Sequence, residues 1–323
     1  MGYVAGETIL DDEFNAFVAS SSDPFGFNHF AGTGATVYGL GQPAIPTVAG
    51  GTTTIAAAQW NSLLAGIDNI ANHTNDTMTA RTAVTAGDTI AIKSAVAADL
   101  ATLAASVAGG SVNATAISVG SELQSSRASG RFAGSHIVEH TVTFANANNM
   151  RFFFNAGGKI RVNLTRVANG GSSATSKDDS VDEMITAMGD FDIASVASTR
   201  SGTTETLTTD GLAIGFQDVT TSYQTVFLLT QANGTYTSMT LKGEIKGNAT
   251  AGSTTNVTIK MSLTDADSGD ILYTSGNLNS IDVNENFLGQ TDFATKLMLP
   301  TTAQGLNPVY TLSGSAETSN TTA

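Results

Sequence analysis

Apolar residues recur every three or four positions in the first third of the chain, which is the spacing of one face of an α-helix. A run near the start of the chain carries Phe14, Phe17 and Val18 at this spacing. A second run, which begins near Thr54, carries Trp60, Leu63, Leu64, Ile67 and Ile70. An alanine-rich run from about Asp88 to Val107, closed by Gly109 and Gly110, predicts a third helix.

Two of these predicted helices begin with the same pattern, T-I-x-x-x-[E/Q]-[F/W]-N-x-[F/L]. The pattern occurs at Thr8–Phe17 and again at Thr54–Leu63. The lead-in Ala5–Ile9 is echoed once more at Ala86–Ile90. Repeated segments indicate modular construction. We therefore interpret residues 1–110 as a helical docking region.

A segment rich in glycine, proline and aromatic residues separates the first two predicted helices, from Ser20 to Gly50. A loop of this length is unusual in a compact domain unless it makes contacts. We expect its aromatic residues to be buried, either within the domain or against a partner subunit.

Beyond about residue 111 the hydrophobic period changes to two, which predicts β-strands. Apolar and polar positions alternate at Ile137–Phe144, Met239–Ile245 and Val257–Leu263. Shorter strands are predicted at Leu212–Phe216, Thr225–Leu229, Ile271–Tyr273 and Val309–Leu312.

Two further features interrupt this series. Met150–Phe154 and Lys159–Val167 flank Gly157 and Gly158, and the glycines favour a tight turn, so the pattern predicts a β-hairpin. A helix is predicted after Ser180, which we interpret as its N-cap. Its apolar stripe consists of Val181, Met184, Ile185 and Met188.

Together these elements predict an α+β protein. A small N-terminal helical region, residues 1–110, precedes a mainly antiparallel, jelly-roll-like β-sandwich, residues 111–323, with one inserted helix.

The composition narrows the possible functions. Lysine and arginine number 14 against 28 acidic residues, which gives a net charge of −14. Nucleic-acid binding needs a concentrated positive surface, and the basic residues are scattered, so no nucleic-acid partner is expected. Cysteine is absent from the sequence, which excludes disulfides and thiol chemistry. No signal peptide or membrane insertion is expected either.

One segment has the residue order of inverted zinc peptidases, H-x-x-E-H, at His136, Glu139 and His140. That chemistry requires a helix, whereas the surrounding residues alternate as in a strand. On a strand the two histidines lie ~13 Å apart and Glu139 points to the other face. We therefore expect no zinc at this motif, and no catalytic residues, no transition-metal site and no cofactor elsewhere.

A calcium loop is the second candidate, because Asp265, Asp267 and Asp270 are closely spaced and carboxylates bind hard cations. Gly269 and Gly276 stand where an EF-hand loop has an acid or amide and a bidentate glutamate. An acidic hairpin turn explains the same residues. Both interpretations stay open at this point.

Several segments resemble virion structural proteins of tailed bacteriophages, of the marine and cyanobacterial type. Met150–Arg161 is similar to their R-[F/Y]-F-F-N-[A/S]-G-G segment. The segments Tyr38–Gln42, Val48–Thr52, Gln59–Asn61, Ser222–Thr225 and Pro308–Leu312 fit in the same order.

This resemblance implies a structural, non-enzymatic component of the virion that is assembled in the host cytoplasm. We expect a place in the tail apparatus, as a neck, baseplate or fibre-attachment protein. The expected partners are other virion proteins and further copies of the chain, with a trimer favoured. The alternatives are a capsid decoration protein and a β-sandwich module that binds host surface glycans, followed by a depolymerase.

Overall fold

The computed structural model describes most of the chain and supplies the elements given below. The described residues are 11–20, 26–32, 39–50, 55–88, 93–113, 117–127, 131–132, 134–167, 176–202, 207–210, 213–231, 238–266, 287–288, 290–300, 310–314 and 318–321. The helices in this part of the chain are α1 (Asp11–Val18), α2 (Phe27–Phe30), α3 (Ala57–Thr74), α4 (Lys93–Ala108), α5 (Ala147–Asn155) and α6 (Ser176–Met188).

The described strands begin where the hydrophobic period changes. They are β1 (Ile117–Arg127), β2 (Arg131–Phe132), β3 (Gly134–Phe144), β4 (Lys159–Val167), β5 (Phe191–Ile193), β6 (Ser198–Arg200), β7 (Leu207–Asp210), β8 (Gln224–Thr230), β9 (Met239–Gly247), β10 (Asn256–Asp265), β11 (Phe287–Leu288), β12 (Gln290–Pro300), β13 (Tyr310–Gly314) and β14 (Thr318–Thr321).

The chain forms two compact units. Unit 1 comprises Met1–Ser118, Phe144–Gly158 and Met298–Val309. Unit 2 comprises Val119–Thr143, Lys159–Leu297 and Tyr310–Ala323. Two segments distant in sequence therefore return to the helical unit, while the boundary expected after residue 110 lies close to the end of its first segment.

The apolar stripes read from the sequence form the core of unit 1. Phe14 and Val18 of α1 are fully buried, and so is the stripe of α3, in which Trp60 packs edge-on against Phe17 with ring centroids 6.1 Å apart. From α4 the core takes Val96, Leu100, Leu103, Ala104 and Val107. Phe27 and Phe30 of α2 are also buried here, so the expectation of buried aromatics between Ser20 and Gly50 is confirmed for these two residues.

The repeated pattern has a structural consequence that the sequence does not show. Both repeats begin their helix three residues after the threonine, and both place an asparagine on the fifth helical residue. The side-chain amide of Asn15 donates to the carbonyl of Val48 at 3.0 Å and accepts from its N–H at 2.8 Å. Asn61 binds Val84 in the same way, at 2.9 Å for both bonds. Each asparagine thus fixes the extended segment that leads into the next long helix.

The predicted hairpin at Met150–Val167 is wrong in its first half, because Ala147–Asn155 is helix α5. The side chain of Asn146 caps this helix by accepting from the N–H of Asn149, which favours a helix over the strand that the phenylalanines suggest. Phe153 and Phe154 are both buried on the helix, with ring centroids 5.1 Å apart. The positive φ expected at the glycine pair occurs at Gly157, where it ends the helix instead of turning a hairpin.

Helix α5 belongs to unit 1 and is fastened to it by polar contacts. His73, at the end of α3, hydrogen-bonds through Nε2 to the carbonyl of Ala156 at 2.9 Å. Asn155 donates to the carbonyl of Gly39 at 3.2 Å. A side chain at Gly157 would collide with Val112, because a Cβ there would lie 2.2 Å from its methyl carbon. The glycine is therefore required by close packing as well as by its positive φ.

The described strands of unit 2 form two large sheets and a separate two-stranded sheet of β2 and β11. The first has the order β1-β12-β4-β5-β6, and the second has the order β13-β3-β10-β9-β8-β7, with β14 also pairing with β3. Alternation along β10 buries Val257, Ile259, Met261 and Leu263, as the sequence predicts. The α+β class with an antiparallel β-sandwich is therefore confirmed.

Side chains of the two sheets meet in the interior. Phe191 of the first sheet lies 4.8 Å, between ring centroids, from Phe227 of the second. His136 and His140 of β3 contact Thr291 and Thr295 of β12, each across 2.8 Å between Nδ1 and Oγ1. Because the spacing is four residues on both strands, β3 and β12 run in the same direction across the sandwich.

Some predicted boundaries require correction. Helix α6 begins at Ser176, so Ser180 is an internal residue of the helix and not its N-cap. Of the strand predicted at Leu212–Phe216, the described part is not a strand, and a 3₁₀ turn begins at Phe216. The strand predicted at Ile271–Tyr273 lies outside the described residues. Strand β12, which the sequence pattern did not reveal, carries the threonines that bond the two histidines.

Candidate functional site

The most distinctive polar surface of unit 2 is the outer face of its second sheet. Lys260 of β10 lies opposite Glu139 of β3 on one side and opposite Glu244 of β9 on the other. The ammonium of Lys260 is 2.6 Å from Glu244, and so is the ammonium of Lys242. We call Tyr223 and the five charged residues Glu139, Lys242, Glu244, Lys246 and Lys260 the Tyr223 face.

Glu244 is buried although it lies on the outer side of the sheet. Burial by itself raises the pKa of this carboxyl, but hydrogen bonds from Lys242 and Lys260 outweigh burial and hold the pKa below its ordinary value. Glu244 is therefore ionised at neutral pH and anchors both lysines.

Tyr223 directly precedes β8 and its side chain extends over the neighbouring strands. Its hydroxyl donates to Glu139 on β3 at 2.6 Å. The ammonium groups of Lys246 and Lys260 lie 4.1 and 4.2 Å from the centre of its ring, within the range of cation–π attraction. Burial and the bond to Glu139 raise the pKa of Tyr223, so the phenol stays protonated and donates. The ring is only partly exposed.

Hydroxyl groups continue the polar surface beside this face. Thr141 and Thr258 are directly opposite each other on β3 and β10, with their Oγ1 atoms 3.0 Å apart. Ser135 and Thr264 form a second such pair at 3.1 Å. The sheet thus combines one aromatic ring with ammonium, carboxylate and hydroxyl groups, a set able to hydrogen-bond a polyhydroxylated ligand.

The zinc-like motif has the strand geometry expected from its sequence context. His136 and His140 point into the sandwich, whereas Glu139 points to the opposite face and binds Tyr223. Each histidine directs its Nδ1 at a threonine hydroxyl. The three residues of the motif therefore do not converge. In the part of the chain that the structure describes, no group of three or more histidine or acidic side chains is placed to hold a metal ion.

The sequence pattern gave no sign of the contact between Ser125 of β1 and His140. The Ser125 hydroxyl lies 2.9 Å from Nε2 of His140, and Thr295 bonds the other ring nitrogen. This order matches a catalytic serine, base and orienting residue, except that a hydroxyl replaces the carboxylate. Burial lowers the pKa of His140 to about 4. An imidazole of that pKa is a poor base for serine at neutral pH.

The calcium candidate is described only in part. Asp265 ends β10 and is buried, opposite Gly134 of β3 and Met239 of β9. Asp267 and Asp270 lie outside the described residues, so the choice between a calcium loop and a hairpin turn stays open.

Two aromatic residues are relevant to glycan binding, and they differ in exposure. Trp60 is buried in the core of unit 1, so its ring is not available to stack against a sugar. Tyr223 lies on a sheet face, but its place there depends on the pairing of β8 with β9. The sequence feature that could have revealed this charged sheet face is the alternation of Lys242, Glu244 and Lys246, which puts three charges on one side of a strand.

No protein-family model, curated protein or solved structure matches this chain. Among the described residues, the structure contains no helix long and apolar enough to span a bilayer.

Proposed function

We propose that this protein is a structural component of a tailed-phage virion, in the tail apparatus as a neck, baseplate or fibre-attachment protein. The observation that supports this most is the construction of unit 1. Asn15 and Asn61 each fix the segment that precedes the next long helix, and the segment that resembles phage virion proteins, Met150–Arg161, supplies α5 to the same unit. Residues that carry the resemblance therefore contribute to the packing of unit 1, as expected of a structural protein.

Unit 1 is the proposed docking region, and the chain acts as a homo-oligomer, with a trimer favoured. Helix α4 supports this proposal because its exposed residues whose side chains the structure describes are small and uncharged. Ala97, Ala98, Ala101 and Ala105 are all exposed there. Alanine faces allow helices of neighbouring subunits to approach closely. The partners are further copies and other virion proteins, joined during assembly in the host cytoplasm.

Unit 2 is the proposed exposed module, with no enzymatic role. A capsid decoration protein is the alternative position in the particle. A module that binds host glycans is the second candidate function, and the specific observation in its favour is Tyr223 on the outer face of the sheet.

Immunogold labelling of purified phage particles with antibodies against the full chain tests the proposal. Label at the neck, baseplate or fibre bases is the expected result, and label over the head would favour decoration instead. Absence of the protein from particles that retain their known structural proteins, by mass spectrometry, would contradict a virion role altogether.

A further inference from the structure

The Tyr223 face concentrates positive charge in a strongly acidic protein. Three of the seven lysines of the sequence, Lys242, Lys246 and Lys260, lie on it, against the carboxylates of Glu139 and Glu244. Three lysines and two glutamates leave one excess positive charge on this patch, whereas the whole chain carries −14.

Lys246 differs from the other two lysines of this face in its contacts. Lys242 and Lys260 both pair with Glu244, and the Tyr223 hydroxyl occupies an oxygen of Glu139. Lys246 makes no ion pair with a carboxylate among the described residues, and its ammonium lies 4.1 Å from the centre of the Tyr223 ring. A ligand that brings a single carboxylate to Lys246 therefore matches the one excess positive charge of this face.

The neighbouring groups indicate what else such a ligand carries. A partly exposed tyrosine offers an apolar surface with a polar edge, which suits the C–H face of a sugar ring. The paired hydroxyls of Thr141 and Thr258 lie on the same face of the sheet. A carboxylated saccharide meets all three requirements: charge, apolar surface and hydroxyl groups.

We propose that the Tyr223 face binds a polysaccharide of uronic acid units, with the sugar carboxylate at Lys246 and the ring against Tyr223. This inference deepens the second candidate function, host-glycan recognition by unit 2, and rests on unit 2 being exposed on the particle. Distant acidic residues oppose the approach only weakly, because charges more than ~8 Å away are largely screened at physiological salt.

Binding of the purified full-length protein to immobilised polygalacturonate tests the proposal, with dextran and dextran sulfate as neutral and sulfated references. We expect binding to polygalacturonate that Tyr223→Ala weakens at least about tenfold and Lys246→Gln about fivefold. Lys296→Gln is the matched control, since Lys296 pairs with Glu122 in the other sheet, and it should bind like the wild type.

The contrary outcomes are distinct. No binding of the wild type to polygalacturonate overturns the proposal. Equal binding to dextran sulfate that survives Tyr223→Ala would indicate general attraction of polyanions and overturns it as well. Lys246→Gln changes a partly exposed side chain, so this variant tests the proposal if Tyr223→Ala does not fold. Because this assay uses no particles, its result is independent of the immunogold labelling.

Discussion

The side chain of Asn15 hydrogen-bonds both the carbonyl and the N–H of Val48, a residue 33 positions away. It thus pairs with the Val48 backbone as a neighbouring β-strand would. Asn61 repeats this contact with Val84. A single asparagine in each repeat therefore connects its helix to the segment that precedes the next long helix. This contact explains why both copies of the pattern T-I-x-x-x-[E/Q]-[F/W]-N contain asparagine.

Replacement of this asparagine by aspartate tests the connection. Asn61→Asp keeps the shape but removes the donor to the Val84 carbonyl, so unfolding should become easier by about 1–3 kcal/mol. Urea denaturation measures the effect. Asn69→Asp, on the exposed side of the same helix, is the matched control and should change the free energy by less than about 0.5 kcal/mol. Equal effects of the two variants would refute the proposed role.

Acid should destabilise the sandwich through His140. Its folded-state pKa of about 4 lies below the ordinary value of 6.5, so the unfolded chain takes up a proton first as the pH falls. The stability that the neutral imidazole contributes is complete above pH ~6.5 and is lost towards pH ~4, by about 3 kcal/mol. His73, whose pKa burial also lowers, acts in the same direction.

Denaturation at several pH values checks this expectation. His140→Gln keeps hydrogen-bonding groups for Ser125 and Thr295 but does not titrate, so it should flatten the stability profile between pH ~6.5 and ~4. An unchanged profile in this variant would show that His140 is not the responsible group.

Phe153 should be among the costliest residues to truncate. It is fully buried, with its ring centroid 5.2 Å from that of Phe144. Phe153→Ala is expected to cost ~3 kcal/mol or more in the free energy of unfolding. Phe152→Ala, at a half-buried position of the same helix, should cost less. A loss below ~0.5 kcal/mol for Phe153→Ala would contradict the packing described for α5.

Assembly through unit 1 is tested at the alanine side of α4. The wild type should scatter light as an oligomer, and Ala101→Glu should shift it to monomers, because a charge would enter the contact between subunits. Ala65→Glu, on the exposed side of α3, is the control and should leave the oligomer intact. A wild-type monomer that purified particles do not retain would refute this assembly.

Metal and activity assays test the non-enzymatic role. We expect no stoichiometric zinc in the purified protein and no turnover of host polysaccharide or peptidoglycan.

We also expect no labelling of Ser125 by fluorophosphonates, because His140 with a pKa of about 4 is too weak a base. Zinc that is lost on His136→Ala, or labelling that is lost on Ser125→Ala, would favour an enzyme. Calcium dependent on Asp265 would be compatible with a structural role.

Local pattern predicted the helices α1, α3, α4 and α6 and the strands β3, β4, β8, β9, β10 and β13. The stripe from Trp60 to Ile70 and the alternation from Val257 to Leu263 both occur as expected, because burial on one face imposes a period of 3.6 or 2 on any sequence. The prediction failed at Met150–Phe154, where three adjacent phenylalanines have no period. There a cap from Asn146 and the burial of Phe153 and Phe154 accompany the helix.

The sequence by itself determined the fold class, the repeated helix starts and the absence of cysteine chemistry, because composition and period are properties of the chain alone. Only the tertiary structure decided which distant residues meet. The contacts of Asn15 with Val48, of His140 with Ser125 and of Tyr223 with Glu139 join residues 33, 15 and 84 positions apart. Such contacts depend on strand order, on register and on how distant segments pack, and no local pattern encodes these relationships.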